Sequence, residues 1–289
     1  MQLSRVEMAP GWVLDRYFGW RDRARAPGLR LLEKWRGPLR QLLLLTDGAH
    51  QDDVDAIASH QRALGPLSFF TWNDFGARVG DPPRAVAGRV LPGVAGVQWF
   101  GVGTFVLDLT ASEETLFAGI SRARTKEARR AEKKGVRVAV EERPPRAHVD
   151  EFLALHRTMA TERALAPLDE DATRRMLDDG AAVLVRALDA TSRPLVVNVV
   201  YLVGAHGYYL YGTRAGDVMD GVGHLAQWET IRFLKARGAR VYDLGLVASA
   251  EDGDGIYRFK RSLGGAFLPS GREVAHVPLA VRLVRRLRR

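Results

Sequence analysis

Cysteine is absent from this 289-residue sequence, and its absence excludes several classes of protein. A chain without thiols forms no disulfide framework and offers no thiolate ligands to zinc or to iron–sulfur clusters. Long hydrophobic runs are missing too, because no apolar stretch reaches the roughly 18 residues that a membrane-spanning helix needs. The first residues, MQLSRVEMAPGW, lack the basic segment and apolar core of a secretory signal. The sequence therefore predicts a soluble, cytoplasmic protein.

The familiar catalytic signatures are also missing. The sequence contains no GxSxG nucleophile elbow, no P-loop, no HExxH motif and no GxGxxG fingerprint that opens a helix after a strand. Its histidines are scattered, and no two of them have the i,i+4 spacing that would place both on one helix face as metal ligands. We therefore predict neither a metal site nor a bound cofactor.

What the sequence does contain is an excess of positive charge. The formal net charge is +9 and the isoelectric point is near 10.1. A basic surface attracts polyanions such as tRNA, nucleotide diphosphates or anionic lipid, in a salt-dependent manner. Arginine far exceeds lysine, however, and an arginine-rich composition can also follow from a GC-rich genome. Charge alone leaves both interpretations open.

The first hundred residues predict alternating strands and helices. Residues 1–35 are poorly periodic and are expected to form a helix and an edge strand. Strands are predicted at 39–45 and 67–72, and a helix with one apolar face is predicted at 52–64. The Gly- and Pro-rich stretch at 76–103 predicts an irregular connection that includes one strand.

A clear strand at residues 104–109 precedes a helix that becomes densely basic. Thr110 or Ser112 is expected to cap this helix, which is predicted to run to Lys134. Its basic residues are Arg122, Arg124, Lys126, Arg129, Arg130, Lys133 and Lys134. Such a helix is either a solvated face or a surface that faces phosphate or tRNA. Two glutamates interrupt the run and weaken the second interpretation.

The chain continues as helices, strands and a basic tail. Helices are predicted at 147–163 and 169–177, strands at 182–188, 195–203 and 208–212, and a short tail helix at 281–289. In the tail, the apolar residues Leu283, Val284 and Leu287 are expected to share one side. The arginines around them suggest contact with a membrane surface.

Another group of elements has the order of an acyltransferase-like α/β lobe. The strand at 208–212 is followed by a helix at 223–236, a buried strand at 241–246, and a glycine-rich loop that carries Lys260. A lysine in that loop could neutralise charge on a tetrahedral intermediate, or it could be an ordinary surface lysine. The segment Gly221-Val-Gly-His224 could hold phosphate at a helix start, or its glycines could simply allow a tight turn.

Several of these stretches, in this order, resemble the FemABX-type aminoacyltransferases. They are residues 104–109, 131–135, 209–212, the helix that contains Trp228, residues 242–245 and residues 255–265. The resemblance implies an α/β (α+β) fold of two GNAT-like lobes, with mixed, mostly antiparallel sheets flanked by helices. An abbreviated N-terminal lobe would span 1–102 and be completed by the tail 271–289, and the catalytic lobe would span 103–270.

The resemblance also implies a reaction and roles for individual residues. Members of the family move an amino acid from aminoacyl-tRNA to an amine of a peptide acceptor, typically a peptidoglycan precursor. Lys260 matches the lysine associated with the aminoacyl end of tRNA and with transition-state charge, and Phe259 precedes it. Tyr211 matches an aromatic position near the acceptor. Thr161 and Arg163 resemble a pair that contacts acceptor phosphate. In this interpretation Arg129, Arg130 and Lys133 would bind tRNA.

The sequence departs from the family pattern in ways that leave the acceptor open. The N-terminal lobe is short, so the family's substrate-binding lysine is not placed near the start of this sequence. The coiled-coil arm of some members has no room. The acceptor would be a muropeptide or a peptidyl intermediate of an antibiotic pathway. Two alternatives remain: an N-acyltransferase that uses acyl-CoA on the same fold, and a non-catalytic protein that binds RNA or an anionic membrane.

Overall fold

The computed structural model describes residues 16–48, 65–77, 101–165, 167–216 and 218–287, together with positions 9, 55, 59, 85–86 and 89–90. The chain divides into two compact units. The first unit comprises Met1–Gly103, Leu246–Ala250 and Pro269–Arg289, and the second comprises Thr104–Gly245 and Glu251–Leu268. The predicted α/β class, with mixed sheets flanked by helices, is confirmed.

The first unit contains a five-stranded sheet in the order β1-β2-β3-β4-β14. Its strands are β1 (Arg21–Ala26), β2 (Leu29–Arg36), β3 (Leu39–Thr46), β4 (Ser68–Asp74) and β14 (Arg272–His276). β3 and β4 run parallel, and the other neighbours are antiparallel. The consecutive residues Leu42 to Leu45 are all buried, so both faces of β3 are covered. A strand in that position needs an unbroken apolar run, and the sequence has one there.

The expectations for this unit are met in part. The strands predicted at 39–45 and 67–72 are present as β3 and β4. The prediction of a helix within residues 1–35 is wrong for the described part, where Arg16–Phe18 forms only a short 3₁₀ turn before β1 and β2. β1 is the expected edge strand, and its side chains are all exposed.

Two predicted segments fall largely outside the described residues. The helix predicted at 52–64 is described only at Asp55 and Ser59. Within the connection predicted at 76–103, the described residues include two short paired strands, β5 (Ala85–Val86) and β6 (Arg89–Val90).

The second unit is built on a seven-stranded sheet in the order β13-β7-β12-β11-β10-β9-β8. Its strands are β7 (Gly103–Asp108), β8 (Arg137–Glu142), β9 (Ala182–Leu188), β10 (Pro194–Val203), β11 (His206–Arg214), β12 (Val241–Val247) and β13 (Ala266–Pro269). β8 to β11 form an antiparallel meander, and β11 and β12 run parallel. The sequence did not predict β13 or β14, which are short and lie on either side of Gly271.

Helices cover this sheet and enclose the larger core. They are α1 (Glu113–Gly119), α2 (Arg122–Lys133), α3 (Arg146–Glu162), α4 (Glu170–Asp178), α5 (Val222–Ala236) and α6 (Gly255–Ser262). α5 lies at the centre because its buried residues Leu225, Ile231 and Leu234 join the same apolar cluster as Leu244 on β12. A buried hydrogen bond of 2.7 Å from Tyr242 Oη to Gln227 Oε1 adds a polar contact between β12 and α5.

The single basic helix predicted after residue 110 is in fact two helices. Ser112 caps α1 by accepting a bond from Thr115 N, so one of the two predicted caps is correct. The helix then breaks at Ile120, which is extended and buried, and at Ser121, whose N–H donates to Ser262 O at 2.9 Å. The break is therefore fixed by contacts with a distant segment.

The prediction that a glycine-rich loop carries Lys260 is also wrong, because Lys260 lies in helix α6. Asp254 caps this helix by accepting a bond of 2.8 Å from Tyr257 N. A short helix between glycines has too few turns to show apolar periodicity in sequence, whereas an aspartate three residues before its bonding partner is a normal N-cap.

The tail forms helix α7 (Leu279–Leu287) in the first unit. Val281 and Val284 pack against Leu39 and Phe69. Leu283 is 51% exposed, so the prediction that Leu283 and Val284 share one side is wrong. Within the described ranges, no helix is both long enough and apolar enough to cross a membrane.

Candidate functional site around Lys260

The second unit contains a place where two parallel strands stop pairing inside the sheet. β11 and β12 form a ladder over His206–Val241, Gly207–Tyr242 and Tyr208–Asp243. Just beyond it, the β10–β11 register shifts, so that Tyr209 and Tyr211 face consecutive residues of β10 and the residue between them is extra. Such a bulge bends and twists its strand. β11 therefore diverges from β12 directly after the third pair.

The amine of Lys260 lies at this separation. The lysine is 7% exposed, and its Nζ atom is 5.8 Å from the ring centroid of Tyr209, the first residue after the ladder on β11. On the β12 side, a Cβ on Gly245 would lie 3.5 Å from Nζ and 2.7 Å from Tyr209 O. Gly245 also has φ of +76°, a conformation that other residues rarely adopt. Position 245 therefore requires a glycine if the Lys260 amine is to lie beside β12.

A buried carboxylate accompanies the amine. Asp243 on β12 is 2% exposed, and its Oδ1 atom accepts bonds from Thr104 Oγ1 and, at 2.7 Å, from Gly245 N. Burial lowers the pKa of Lys260 to about 8, although the charges of Asp243 and Asp254 oppose this effect. Burial raises the pKa of Asp243, against the bonds from Thr104 and Gly245 and the charge of Lys260. The amine is therefore poised to exchange a proton near neutral pH.

Two tyrosines extend the site along β11. Tyr209 Oη donates to Asn198 Oδ1 at 3.3 Å, and a Cβ on Gly212 would lie 1.8 Å from that hydroxyl. Tyr211 meets the ring of His156 edge to face at 5.7 Å. Burial raises the pKa of Tyr209 and of Tyr211 to about 12, so both hydroxyls stay protonated at neutral pH.

Of the predicted acceptor-binding pair, Thr161 and Arg163, only Arg163 lines a pocket. Arg163 follows α3 and lines an open pocket of about 480 Å³ together with Arg214 at the end of β11. Thr161 is not among the lining residues, and its hydroxyl donates to Arg157 O at 3.0 Å within α3. Arg214 was missed because it lies 51 positions from Arg163 in sequence, and only the packing of α3 beside β11 brings the two together.

The strand itself sets the distance between the pocket and the amine. Tyr209 and Arg214 are five residues apart on β11. At about 3.3 Å per residue, and less across a bulge, their Cα atoms are roughly 15 Å apart. A ligand held at both ends would therefore be extended.

Phe259 has a packing role. Its ring contacts His224 at 4.8 Å, and its edge lies 3.3 Å from where a Cβ on Gly223 would be. These contacts hold α6 against the start of α5. The prediction that Phe259 binds substrate stays a prediction.

The glycines at the start of α5 are explained by close packing. Gly221 has φ of +89°, and a Cβ there would lie 2.3 Å from the carbonyl carbon of Glu127 on α2. Gly221 and Val222 are both buried. His224 faces inward, with Nε2 at 2.8 Å from Ser262 Oγ, which itself donates to Phe259 O. This geometry favours the tight-turn interpretation over the phosphate site.

The basic residues of α2 form a solvent-facing stripe. Ala128 and Ala131 are buried against the core, while Arg129, Arg130 and Lys133 are exposed on the opposite side. The Arg129 guanidinium lies 5.1 Å above the Phe117 ring. Within the described part of the chain, Arg130 and Lys133 form no ion pair with a carboxylate, so their charges are available to a polyanion.

Comparisons with known proteins support the same fold. A family model described as an acetyltransferase (GNAT) domain matches residues 121–261. The lipid II:glycine glycyltransferase of Staphylococcus haemolyticus is 34% identical over 71 residues, which cover 23% of this chain and 17% of that protein. The match thus spans a small part of that relative's length.

Solved structures match over nearly the whole chain. The crystal structure of FemX has a TM-score of 0.63 at 15% identity and covers 97% of this chain and 92% of its own. L-PGS from Bacillus licheniformis has a TM-score of 0.57 at 12% identity, with coverage of 94% and 90%. At these identities the likeness establishes the fold. Together with the sequence matches, it confirms the resemblance to the FemABX type of GNAT-fold protein.

The buried His224 predicts a pH dependence of stability. Burial, with a smaller contribution from Arg124, lowers the pKa of His224 to about 4. In the unfolded chain it titrates near 6.5, so as pH falls from about 6.5 to 4 the unfolded state gains a proton that the folded state does not. The free energy of unfolding should fall over this window by up to about 3 kcal/mol.

Urea denaturation at a series of pH values checks this. His224→Gln keeps a side-chain donor for Ser262 but cannot titrate, so its unfolding free energy should depend less on pH between 4 and 6.5. Equal pH dependence in the two proteins would contradict the assignment.

Proposed function

We propose that this chain, which has the fold of FemABX-type GNAT proteins, is an aminoacyltransferase that moves an amino acid from aminoacyl-tRNA to the amine of a peptide acceptor. The observation that carries the proposal is the buried amine of Lys260 at the separation of β11 and β12. In the reaction, the acceptor nitrogen attacks the ester carbonyl, the tetrahedral intermediate expels the 3′-oxygen of tRNA, and a peptide bond forms.

This reaction needs few catalytic groups. An aminoacyl ester is already activated, so the enzyme chiefly aligns the amine with the carbonyl and stabilises the oxyanion. With a pKa of about 8, Lys260 is mostly an ammonium at neutral pH and can donate a hydrogen bond to that oxyanion or to the leaving oxygen. The attacking amine would lose its proton to a carboxylate or phosphate of the substrate.

The pocket at Arg163 and Arg214 supports an anionic acceptor. Two arginines outnumber the one acid, Glu162, on the pocket lining, and with Leu155 and Met159 they suit a ligand that has a phosphate or carboxylate and an apolar part. A muropeptide precursor has these features, and the name of the glycyltransferase relative points to the same class. An intermediate of an antibiotic pathway is the second acceptor class. Tyr211, between the amine and the pocket on β11, would flank the acceptor.

The acyl-CoA alternative has one observation in its favour, the match to the acetyltransferase (GNAT) domain model. Against it, Gly221 at the start of α5 lies against the backbone of α2, and Val222 is buried, at the place where a pyrophosphate would have to approach the backbone. Incubation with charged tRNA or with acetyl-CoA, followed by mass spectrometry of the acceptor, separates the two. Product formation that survives RNase treatment would rule out the tRNA donor.

Replacement of Lys260 tests catalysis directly. Lys260→Met removes the ammonium and should lower the transfer rate at least about tenfold, or roughly 1.4 kcal/mol in barrier. Arg258→Met, at an exposed position of the same helix, is the matched control and should keep its rate. The rate is followed as labelled amino acid transferred from a pool of charged tRNAs. An unimpaired Lys260→Met protein would favour the non-catalytic alternative.

The stripe on α2 is proposed to contact the tRNA backbone. Replacing Arg130 and Lys133 together with glutamine should weaken tRNA binding. It should also make the slope of log K against log salt shallower by about 0.7 to 0.9 for each phosphate that the protein no longer neutralises. Arg175→Gln, an exposed arginine on α4, is the control. The slope is measured by titration at several salt concentrations, and an unchanged slope would remove α2 from the interface.

Peripheral membrane contact is proposed through α7. Leu279 and Leu283 are 71% and 51% exposed one turn apart, and Arg282 lies beside them. An apolar strip flanked by arginines suits a surface of anionic lipid. Leu279→Gln with Leu283→Gln should reduce co-sedimentation with vesicles that contain phosphatidylglycerol, whereas Leu165→Gln, at an exposed leucine of the second unit, should not. Equal sedimentation of the unmodified chain and both variants would end this proposal.

A further inference from the structure

Asp243 has a carboxylate where an amide would satisfy every hydrogen bond that it makes. Its Oδ1 atom accepts the bonds from Thr104 and from Gly245 N. Its Oδ2 atom is buried and has no hydrogen-bond partner among the described residues. An asparagine could accept the same two bonds through its own oxygen. Hydrogen bonding therefore does not explain the negative charge.

A buried carboxylate in which one oxygen accepts no hydrogen bond lowers the stability of the fold. Removing an ionised carboxyl from water is unfavourable unless bonds and an opposite charge compensate. The opposite charge that acts on Asp243 is that of Lys260, and the two groups act on each other's ionisation. Geometry relates the two groups through Gly245, whose N–H donates to Asp243 Oδ1 at 2.7 Å and whose Cβ, if present, would lie 3.5 Å from Lys260 Nζ. The charge of Asp243 thus acts on the lysine amine without a direct bond from Oδ2.

The other ionisable groups around Asp243 and Lys260 do not cancel the effect of Asp243 on the lysine. Asp254, the cap of α6, adds a second negative charge that favours the ammonium form of Lys260. Tyr208 and Tyr209 on β11, and Tyr242 on β12, also surround the pair. Burial raises the pKa of all three, and the charge of Asp243 raises it further for Tyr208 and Tyr242. The tyrosines therefore stay neutral in the working pH range.

We propose that Asp243 is the positioning residue of this site: its negative charge holds Lys260 as an ammonium at the point where β11 and β12 separate. The inference rests on the proposed function, in which that ammonium stabilises the oxyanion or the leaving oxygen. Thr104 has a supporting role, because its hydroxyl orients Asp243 and favours its ionised form. Asp243 touches no reacting atom in this scheme and acts through the lysine.

The test begins with a measurement that does not need activity. Lysine labelled with ¹⁵N or ¹³Cε is titrated by NMR, and the Lys260 signal is assigned by its loss in Lys260→Arg. In Asp243→Asn the lysine should release its proton at least one pH unit lower than in the unmodified chain. The control is Asp252→Asn. Asp252 is an exposed acid that precedes α6 and forms an ion pair with Arg261, and its replacement should leave the Lys260 titration unchanged.

The pH profile of transfer gives the second readout. The decline of kcat/KM at high pH should move to lower pH in Asp243→Asn by the same amount as the NMR titration. For a shift of one pH unit, kcat at pH 8 should be about fivefold lower, because the protonated fraction of Lys260 falls from about one half to about one tenth. The deficit should shrink towards pH 6, and the dissociation constant for tRNA should not change. In a Lys260→Arg background, where the cation cannot deprotonate, Asp243→Asn should not shift the profile.

The outcomes separate this inference from the function on which it rests. An unshifted Lys260 titration in Asp243→Asn overturns the role of Asp243, whatever the protein catalyses. A shifted titration without any transfer from charged tRNA leaves the coupling in place and overturns the aminoacyltransferase. Should Asp243→Asn fail to fold, Thr104→Val removes the orienting hydroxyl. A smaller shift in the same direction is then expected, and no shift would contradict the proposal.

Discussion

The central constraint in the second unit is the early end of the β11–β12 ladder. Two parallel strands that separate inside a sheet leave backbone N–H and C=O groups facing each other without ladder bonds, and such groups need other partners. Gly245 and the bulge in β11 lie at the start of this opening, and the amine of Lys260 lies beside both. The N–H of Gly245 donates to Asp243 Oδ1, and its carbonyl accepts a bond from Thr104 Oγ1.

The chemistry at the opening depends on two opposing electrostatic effects. Burial favours the neutral amine, whereas the neighbouring carboxylates favour the ammonium. If burial acted alone, Lys260 would be a weak hydrogen-bond donor, and if it were fully solvated its charge would be screened by water. The balance keeps a charged donor in a place of low dielectric, where each hydrogen bond to developing negative charge is worth most.

Sequence reasoning was most reliable where one helix or strand determines its own structure. The strand β3 follows from an unbroken leucine run, and α5 follows from apolar residues at helical spacing, ending before Gly238. Ser112, one of the two caps predicted from the local sequence, is the one that caps α1. Reasoning failed where distant segments decide. The break between α1 and α2 is accompanied by the bond from Ser121 N to Ser262 O, and the joint pocket of Arg163 and Arg214 depends on how α3 packs against β11. Helix α6 was missed because eight residues show no period.

The bond from Ser121 N to Ser262 O links two helices that have separate tasks in the proposed reaction. Ser121 immediately precedes the basic helix α2, and Ser262 is the last residue of the helix that carries Lys260. His224 reaches the same serine from α5, so three helices meet at one residue. In the proposed reaction, the helix that would bind the donor and the helix that carries the amine therefore share one anchoring residue, Ser262.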